Sequence, residues 1–453
     1  MRVAATPRDG LGHAKRMIAL AAALRGLGAQ ISAPDLLSPN ADPMIRSSAE
    51  SLGISPSADD TECVVFDSYE LGVAEQELER ARGRVVVVVD DAPVRRHSCS
   101  LLVDQNQGDD RSQPYQGMVP DEAICLLGPA YALLGPEYRA GRRSGSDPNA
   151  PRRVVVNFGG SRQDALEALA VEALNAAGLR PPAWEIVVTG AAPPRPSMRD
   201  VWESAGLVVG AAGSSSWERA RVGVRSVVVA IAANQEPVGA TLAAAGVARY
   251  AGRATDLTRV GLSSVIRSAL EESPSVVADR GRRLVDGLGA HRVARAVLAV
   301  GHQLRPRRAR ADDEALILHW RNDADAIADS LTGRPVEVTE HSAWFRARLA
   351  DDAGTRLFVV ERGEEPVGMV RFDRDESTRP WRISYALARS ERGRRLATPL
   401  ICAGLLGLGR DGVGHRVLAD VRRTNERSLG AMTRAGFVEQ ERGAGHVRLS
   451  LDA

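Results

Sequence analysis

A run of five valines, Val85 to Val89, limits what this chain can fold into more than any other stretch. β-branched side chains favour extended backbone. A strand with one wet face alternates apolar and polar residues, so a run with no polar member must be covered on both faces. That is the condition of a parallel strand inside a sheet flanked by helices. The neighbouring sequence fits the same plan. Val3–Ala5 and Val64–Asp67 read as further strands, and Ala14–Leu27 and Val73–Arg82 have helix-like composition. The pattern is doubly wound α/β. Asp67-Ser68-Tyr69 and Asp90-Asp91 fall at strand ends, where open α/β sheets bind ligands. Turn chemistry and helix capping are the competing uses of such aspartates.

Between the first strand and the first helix lies Asp9-Gly10-Leu11-Gly12-His13-Ala14-Lys15-Arg16. Gly10 and Gly12 permit a sharp turn and a close approach to a ligand. The turn would present His13 at a helix N-terminus, where free N–H groups and the helix dipole favour anions. A histidine there can exchange protons near neutral pH. Taken alone, the stretch is better read as a plain βα turn carrying a solvent-exposed histidine.

Residues 139 to 152 are polar and rich in glycine and proline, and read as a linker. A second α/β pattern follows. Strand Val154–Phe158 leads into Gly159-Gly160-Ser161 and helix Asp164–Ala177. Strands Ile186–Thr189, Leu207–Val209 and Ser226–Ile231 come next. They carry the turn Gly210-Ala211-Ala212-Gly213-Ser214-Ser215-Ser216-Trp217-Glu218 and the segment Asn234-Gln235-Glu236-Pro237, then helix Val238–Ala245. Successive backbone N–H groups in small-residue turns can cradle a diphosphate. Neither turn matches the lysine-bearing phosphate loop or a full dinucleotide fingerprint, which disfavours an ATPase or a nicotinamide oxidoreductase. Glu218, one turn into its helix, is either an acceptor for a ribose diol or a favourable N-terminal helix charge. Two such halves in tandem, with glycine-rich turns facing one cleft, point to a glycosyltransferase-B-like pair of Rossmann-type domains.

Composition narrows the setting. The chain has 453 residues, 44% hydrophobic and 26% charged, with a formal net charge of +2. That length suits roughly two or three domains. Bulk charge gives no reason to expect nucleic acid or an anionic membrane as partner. Lys15 is the single lysine among 59 basic residues, so the abundance of arginine reads as a general bias. Cys63, Cys99, Cys125 and Cys402 are scattered without metal-like spacing. With no apolar leader and no long apolar run, the expectation is a cytoplasmic enzyme.

A long series of short matches gives the first 300 or so residues a relationship. They resemble the UDP-sugar hydrolases of pseudaminic acid biosynthesis. The series is Gly-Leu-Gly-His-Ala-Lys-Arg (10–16), Val-Asp-Asp (89–91) with Arg96-His97, Leu-Leu-Val-Asp-Gln-Asn (101–106), and Leu-Leu-Gly-Pro-Ala-Tyr-Ala-Leu-Leu (126–134) before Pro-Glu-Tyr (136–138). It continues with Phe-Gly-Gly-Ser (158–161), Ser-Ser-Trp-Glu-Arg (215–219) and Asn-Gln-Glu-Pro (234–237). The resemblance implies that His13 is catalytic. It implies that Gly159, Gly160, Ser214, Ser215, Ser216, Glu218, Asn234 and Gln235 bind UDP. Gly12, Arg16, Asp67, Tyr69, Asp91 and His97 are the expected remaining contacts with sugar or water. Departures are Thr6-Pro7-Arg8 ahead of Asp9, Ser68, Ser100 and Gly135; they bear on the sugar more than on the reaction. No Asp-x-Asp motif falls at a convincing strand end, so no metal is expected.

From about Leu304 the pattern changes. Arg305–Arg310 reads as a basic junction, and Asp312 as the cap of a helix ending at His319-Trp320-Arg321-Asn322-Asp323. Strands are expected at Leu357–Glu361, Pro366–Asp373, Arg382–Ala388, Val417–Val421 and Val447–Leu451, and helices at Thr398–Gly409 and Asn425–Ala435. The strand–basic turn–helix at Arg389–Ala397 and the series Asn425-x-x-Ser428 with Ala435-Gly436-Phe437 resemble the GNAT acyltransferases. The resemblance implies acetyl-CoA as co-substrate. It implies a pyrophosphate turn at Arg392, Arg394, Arg395 and Ala397, with Arg395 where glycine is expected, and pantetheine pairing along Leu387. Asn425 and Ser428 complete the cofactor contacts. Met432 stands where the family has a tyrosine acid, which leaves solvent, Tyr385 or direct transfer as alternatives. Trp320-Arg321-Asn322, Thr339 with Trp344-Phe345, and Val367–Asp373 resemble the amino-sugar N-acetyltransferase branch. For Trp320, Trp344 and Phe372 a core role is favoured over sugar stacking.

The expected organisation is a Rossmann-like domain over 1–145, a UDP-binding Rossmann-like domain over 146–303 and a GNAT domain over 304–453. The expected function is acetylation of a UDP-4-amino-sugar followed by hydrolysis of the product's UDP. The alternative is a glycosyltransferase with a sugar or lipid acceptor, joined to an acyl-CoA-binding module that is non-catalytic or differently specific.

Overall fold

The computed structural model describes residues 1–3, 11–57, 61–106, 114–140, 152–159, 163–189, 197–330, 333–374, 380–410 and 415–453. Contacts divide the chain into two compact units. One is Met1–Ala22 with Ile31–Val293, the other Ala23–Gln30 with Ala294–Ala453.

The first unit contains two parallel sheets. One comprises β1 (Arg2–Val3), β2 (Cys63–Asp67), β3 (Val85–Val89), β4 (Leu101–Asp104) and β5 (Ile124–Leu127), side by side in that order. All five valines of β3 are buried, as a strand covered on both faces requires. On the free side of β1, the Met1 amino group donates to Ser32 O at 2.5 Å, and Ser32 forms an isolated parallel bridge with Ser55. The chain therefore leaves β1 on one side and returns to pair on the other. Strand order reverses at β1, and such a reversal opens a crevice at the carboxyl ends of the strands. The helix Leu11–Gly26 follows β1 and buries Ala14, Met17, Leu20, Ala21 and Leu24.

The other sheet comprises β6 (Arg152–Asn157), β7 (Trp184–Val188), β8 (Ala205–Ala211), β9 (Ser226–Ala230) and β10 (Arg249–Arg253), in the order β10-β9-β8-β6-β7 and parallel throughout. Its reversal falls at β6, between β7 and β8. One face packs Phe158, Leu166, Leu174, Leu262 and Ile266. The other packs Trp202, Trp217, Val222, Val238 and Leu242. Covered on both faces, this sheet is doubly wound. The expected linker falls largely on residues 141–151, outside the described residues.

The second unit is built on a seven-stranded sheet. Its strands are β11 (Leu304–Arg308), β12 (Thr355–Arg362), β13 (Glu365–Asp373), β14 (Trp381–Leu387), β15 (Arg416–Arg422), β16 (Val438–Arg442) and β17 (His446–Asp452). The order is β11-β12-β13-β14-β15-β17-β16. The expected junction is in fact partly an edge strand: β11 pairs antiparallel with β12 from Leu304 to Arg308. An edge tolerates Pro306, because a residue without an N–H is harmless where no second neighbour needs one. The expected cap also shifts by one residue. Asp313, not Asp312, accepts from Arg310 N at 2.7 Å, and the helix begins at Glu314 after a 3-10 turn.

Neighbours in this sheet are antiparallel except β14 and β15, which run parallel and pair only at Trp381↔Val417 and Arg382↔Leu418. Beyond Arg382 the two strands part. The helix Ala397–Arg410 packs Leu400, Ile401, Ala403 and Leu405 into the core with Phe372 and Trp381. Gly404 permits that approach, because a Cβ there would meet the Val370 side chain. Trp320 and Phe345 pack with Leu357, Val359 and Met369, and half-buried Trp344 lies against the same cluster. Phe372 therefore serves the core, Trp320 is buried in the core while also lining a cavity, and Trp344 lies half-buried at the edge of its cluster. No helix among the described residues is long and apolar enough to cross a membrane.

Candidate functional site

The reversal at β1 gathers a buried polar cluster. His13 and Arg16 are three residues apart on the first helix and share a face. Asp67 ends β2, and Asp91 lies two residues beyond β3. His13 Nδ1 is 2.5 Å from Asp67 Oδ1. Arg16 donates to Asp67 through Nε at 2.6 Å and Nη2 at 2.5 Å, and its Nη1 donates to Asp91. Tyr69 Oη donates to Asp91 at 2.5 Å, and Asn106 Nδ2 donates to the same carboxylate at 3.1 Å. Asp67 is wholly buried, and His13, Arg16 and Asp91 nearly so.

Arg16 Nη2 also lies 2.9 Å from His13 Nδ1. Both cannot donate across that contact. With the carboxylate closer, Nδ1 is assigned the proton, which in the neutral ring puts the lone pair on Nε2. Burial pushes the Asp91 carboxyl up. The Arg16 charge and hydrogen bonds from Arg16 and Tyr69 outweigh it and bring Asp91 down to about 2. Burial likewise works against the Arg16 cation, and Asp67 and Asp91 together hold it charged. The Tyr69 ring stands edge-on to His13 at 4.8 Å.

The serine turn of the second sheet meets this cluster. A Cβ on Gly12 would lie 3.3 Å from Ser214 Oγ, so the two turns pass at close range. Trp217 Nε1 donates to Asn106 Oδ1 at 3.1 Å, and Asn234 Nδ2 to Tyr69 Oη at 3.3 Å. Ser214 and Ser215 open the helix Ser215–Val222, while buried Ser216 donates to Ala211 O. Gln235 accepts from Ile231 N. Gly159 follows β6 with φ +104. Gly160, Asp9 and Gly10 lie outside the described residues.

Two expected contacts sit elsewhere. His97 is enclosed: Nε2 pairs with Asp90 at 3.1 Å, and Gln76 Nε2 donates to Nδ1 at 3.2 Å. Gln76 Oε1 accepts from Ser98 N, which fixes that amide. A side chain so satisfied braces Asp90 instead of facing a ligand. Glu218 accepts from Trp202 Nε1 at 2.9 Å and from Tyr138, so its carboxylate is tied to the core face of its helix. Asn106, Trp217 and Arg219 belong to the matched series, which by itself assigns them no role. Arg219 is buried, bonds Ala211 O and Ser216 Oγ, and is brought down to about 10 by burial.

In the second unit, a cavity of about 690 Å³ opens where β14 and β15 part. Leu387, Arg392, Arg395, Ala397, Asn425 and Ser428 line it, with Tyr385 and Met432. Arg394 is exposed on the same turn. The Arg392 guanidinium is occupied, donating to Asp323 at 2.5 Å and Asp325 at 2.9 Å. Arg395 has φ +60, the left-handed conformation that glycine adopts without cost. This is the physical reason a glycine suits that position. Asn425 Oδ1 caps its helix by accepting from Ser428 N at 2.9 Å.

Residues 303–438 match the family model described as an acetyltransferase (GNAT) domain. The C-terminal part of this chain is a GNAT acetyltransferase domain. Solved structures similar to it include spermidine N-acetyltransferase from Vibrio cholerae in complex with CoA and spermine, at 21% identity and TM-score 0.30, covering 33% of this chain and 95% of that one. An aminoglycoside acetyltransferase in complex with coenzyme A matches at 17% identity and TM-score 0.29, covering 33% and 94%. A domain from Methanocaldococcus jannaschii matches at 16% identity and TM-score 0.30, covering 33% and 98%. No curated protein matches the chain significantly. Among the described residues, no group of three or more His, Cys, Asp or Glu is placed to hold a metal ion.

Proposed function

We propose that the chain is a bifunctional nucleotide-sugar enzyme in three parts, 1–145, 146–303 and 304–453. The GNAT domain transfers acetyl from acetyl-CoA to the 4-amino group of a UDP-amino-sugar. The first two parts, a glycosyltransferase-B-like pair, hydrolyse UDP from the resulting UDP-2,4-diacetamido-2,4,6-trideoxyhexose. The reaction sequence makes the fusion reasonable, since the product of one step is the substrate of the next.

For acetyl transfer, the supporting observation is the cavity at the parting of β14 and β15 within a GNAT domain. Unpaired strand edges offer backbone groups to an extended pantetheine arm, and the Arg392–Ala397 turn offers N–H groups to a pyrophosphate.

For hydrolysis, the supporting observation is the buried His13–Asp67 pair at the β1 reversal. In this reading His13 Nε2 takes a proton from water as the oxygen attacks the anomeric carbon. The C–O bond to UDP breaks with inversion and without a metal. Asp67 orients the imidazole and stabilises the imidazolium that forms. The Ser214–Ser216 turn, Gly159-Gly160 and Asn234-Gln235 receive the UDP.

The test supplies full-length protein with a UDP-2-acetamido-4-amino-2,4,6-trideoxy sugar, with and without acetyl-CoA, and follows thiol and UDP. Amine-dependent thiol release and acceptor-free UDP release are expected. His13→Ala is expected to abolish UDP release and leave thiol release intact. UDP release that requires an added sugar or lipid acceptor would replace hydrolysis with glycosyl transfer.

A further inference from the structure

Transfer of acetyl from a thioester to an amine expels a thiolate, and a thiolate leaving into a partly dry cavity needs a proton donor. The cavity of the GNAT domain offers few. Its guanidinium groups do not surrender protons, and the thioether of Met432 has none to give. The hydroxyls that line it are those of Ser330, Ser384, Tyr385 and Ser428, and a phenol is by far the stronger acid of the two types.

Tyr385 lies on β14 beyond Arg382, the last residue paired with β15, so it belongs to the stretch that borders the opening. Its Oη donates to Ser428 Oγ at 3.1 Å. Ser428 stands one helical turn before Met432 on the helix Glu426–Arg434. Long helical side chains lean back over the preceding turn. Tyr385 therefore brings a phenol, from the sheet, to the patch of helix surface that the side chain of residue 432 covers.

We propose that Tyr385 is the general acid of acetyl transfer, with Ser428 holding the phenol in place; this rests on the acetyltransferase reading above. The acceptor nitrogen attacks the thioester carbonyl carbon. The C–S bond breaks, its electron pair goes to sulfur, and sulfur takes the proton from Tyr385 Oη. The proton shed by the new amide nitrogen returns to the phenolate through solvent. The products are an amide and a free thiol, and the enzyme is restored. Burial raises the Tyr385 pKa, so the phenol keeps its proton through neutral pH. The charged groups acting on it are Asp329, which raises it further, and Arg434, which opposes.

The experiment uses full-length Tyr385→Phe protein with acetyl-CoA and the UDP-2-acetamido-4-amino-2,4,6-trideoxy sugar. The kcat for thiol release is expected to fall about 100-fold or more. The KM for acetyl-CoA and its calorimetric Kd are expected to stay within about twofold. A Phe variant with wild-type kcat overturns the assignment. A second variant replaces Tyr385 alone with 3-fluorotyrosine, whose phenol is more acidic. The alkaline limb of the kcat profile is expected to move to lower pH, and an unmoved limb overturns the assignment independently. Wild-type protein that releases no thiol overturns the acetyltransferase reading itself, and this assignment with it.

Discussion

Asp91→Asn removes a charge on which the cluster in the first unit depends. The Asp91 carboxyl is brought to about 2 from an ordinary 3.8: burial pushes it up, and Arg16 with Tyr69 pulls it down further. A carboxyl depressed by folding stabilises the protein above its unfolded pKa and yields that stabilisation as pH falls through the folded value. The drop from 3.8 to about 2 is worth about 2 kcal/mol. That contribution is full at about pH 5 and above, and is lost between about pH 4 and pH 2. Near neutrality the substitution costs more, since it strips one of two carboxylates from a buried guanidinium. Asp67 still pairs with Arg16, so the low end for a broken buried pair, about 3 kcal/mol, is expected. The assay is equilibrium urea unfolding of full-length protein at a series of pH values. A brief hydrogen-exchange pulse at one common pH then reads peptides from β2 and β3. The gap between wild type and variant should narrow from about 3 kcal/mol near pH 6 to about 1 kcal/mol near pH 2. A gap that does not change with pH would refute the ion-pair account of Asp91.

Glu218→Gln should lower the stability of the first unit by about 1–2 kcal/mol, because it removes the charge and one of the two acceptor oxygens that receive Trp202 and Tyr138. Unchanged urea unfolding with a raised KM for the UDP-sugar would instead assign Glu218 to the ribose. Arg395→Gly relieves a left-handed backbone at φ +60 but loosens the unfolded chain. A net gain of under about 1 kcal/mol is therefore expected in thermal unfolding of the GNAT domain. The same variant should bind acetyl-CoA more weakly and with a shallower salt dependence, measured by calorimetry. A clear loss of stability would contradict the strain argument.

The parallel sheets were legible wherever a strand is a sustained β-branched run. Val85–Val89, Val154–Asn157 and Ser226–Ala230 announce their own burial. β4 and β5 are four residues each, too short to separate from a turn by periodicity. β11 was hidden by its composition: arginines on an edge strand look like a linker, because an edge needs only one paired side. The parting of β14 and β15 leaves no mark in sequence at all, since both strands keep their alternation through it. It depends on which neighbour each residue meets, and only the register reports that.

The site was legible as residue types and obscure as partnerships. Asp67, Tyr69, Asp91 and His97 looked alike, four polar residues near strand ends, yet the fold divides them. The first three converge on His13 and Arg16, while His97 turns to Asp90 and Gln76. The division follows from where the strand ends. Asp90 still pairs through its N–H with Val103 O of β4, while Asp91 opens the bend that follows β3. Asp91 is thereby given to the arginine of the first helix, and Asp90 to the imidazole that follows. Asn106 shows the opposite case. Nothing local singles it out, but it receives Trp217 from 111 residues away while donating to Asp91. Through that amide, the helix behind the serine turn is tied to the carboxylate that holds Arg16, and Arg16 is bound to the same Asp67 that holds His13. A substitution at Asn106 should therefore disturb His13 without touching it.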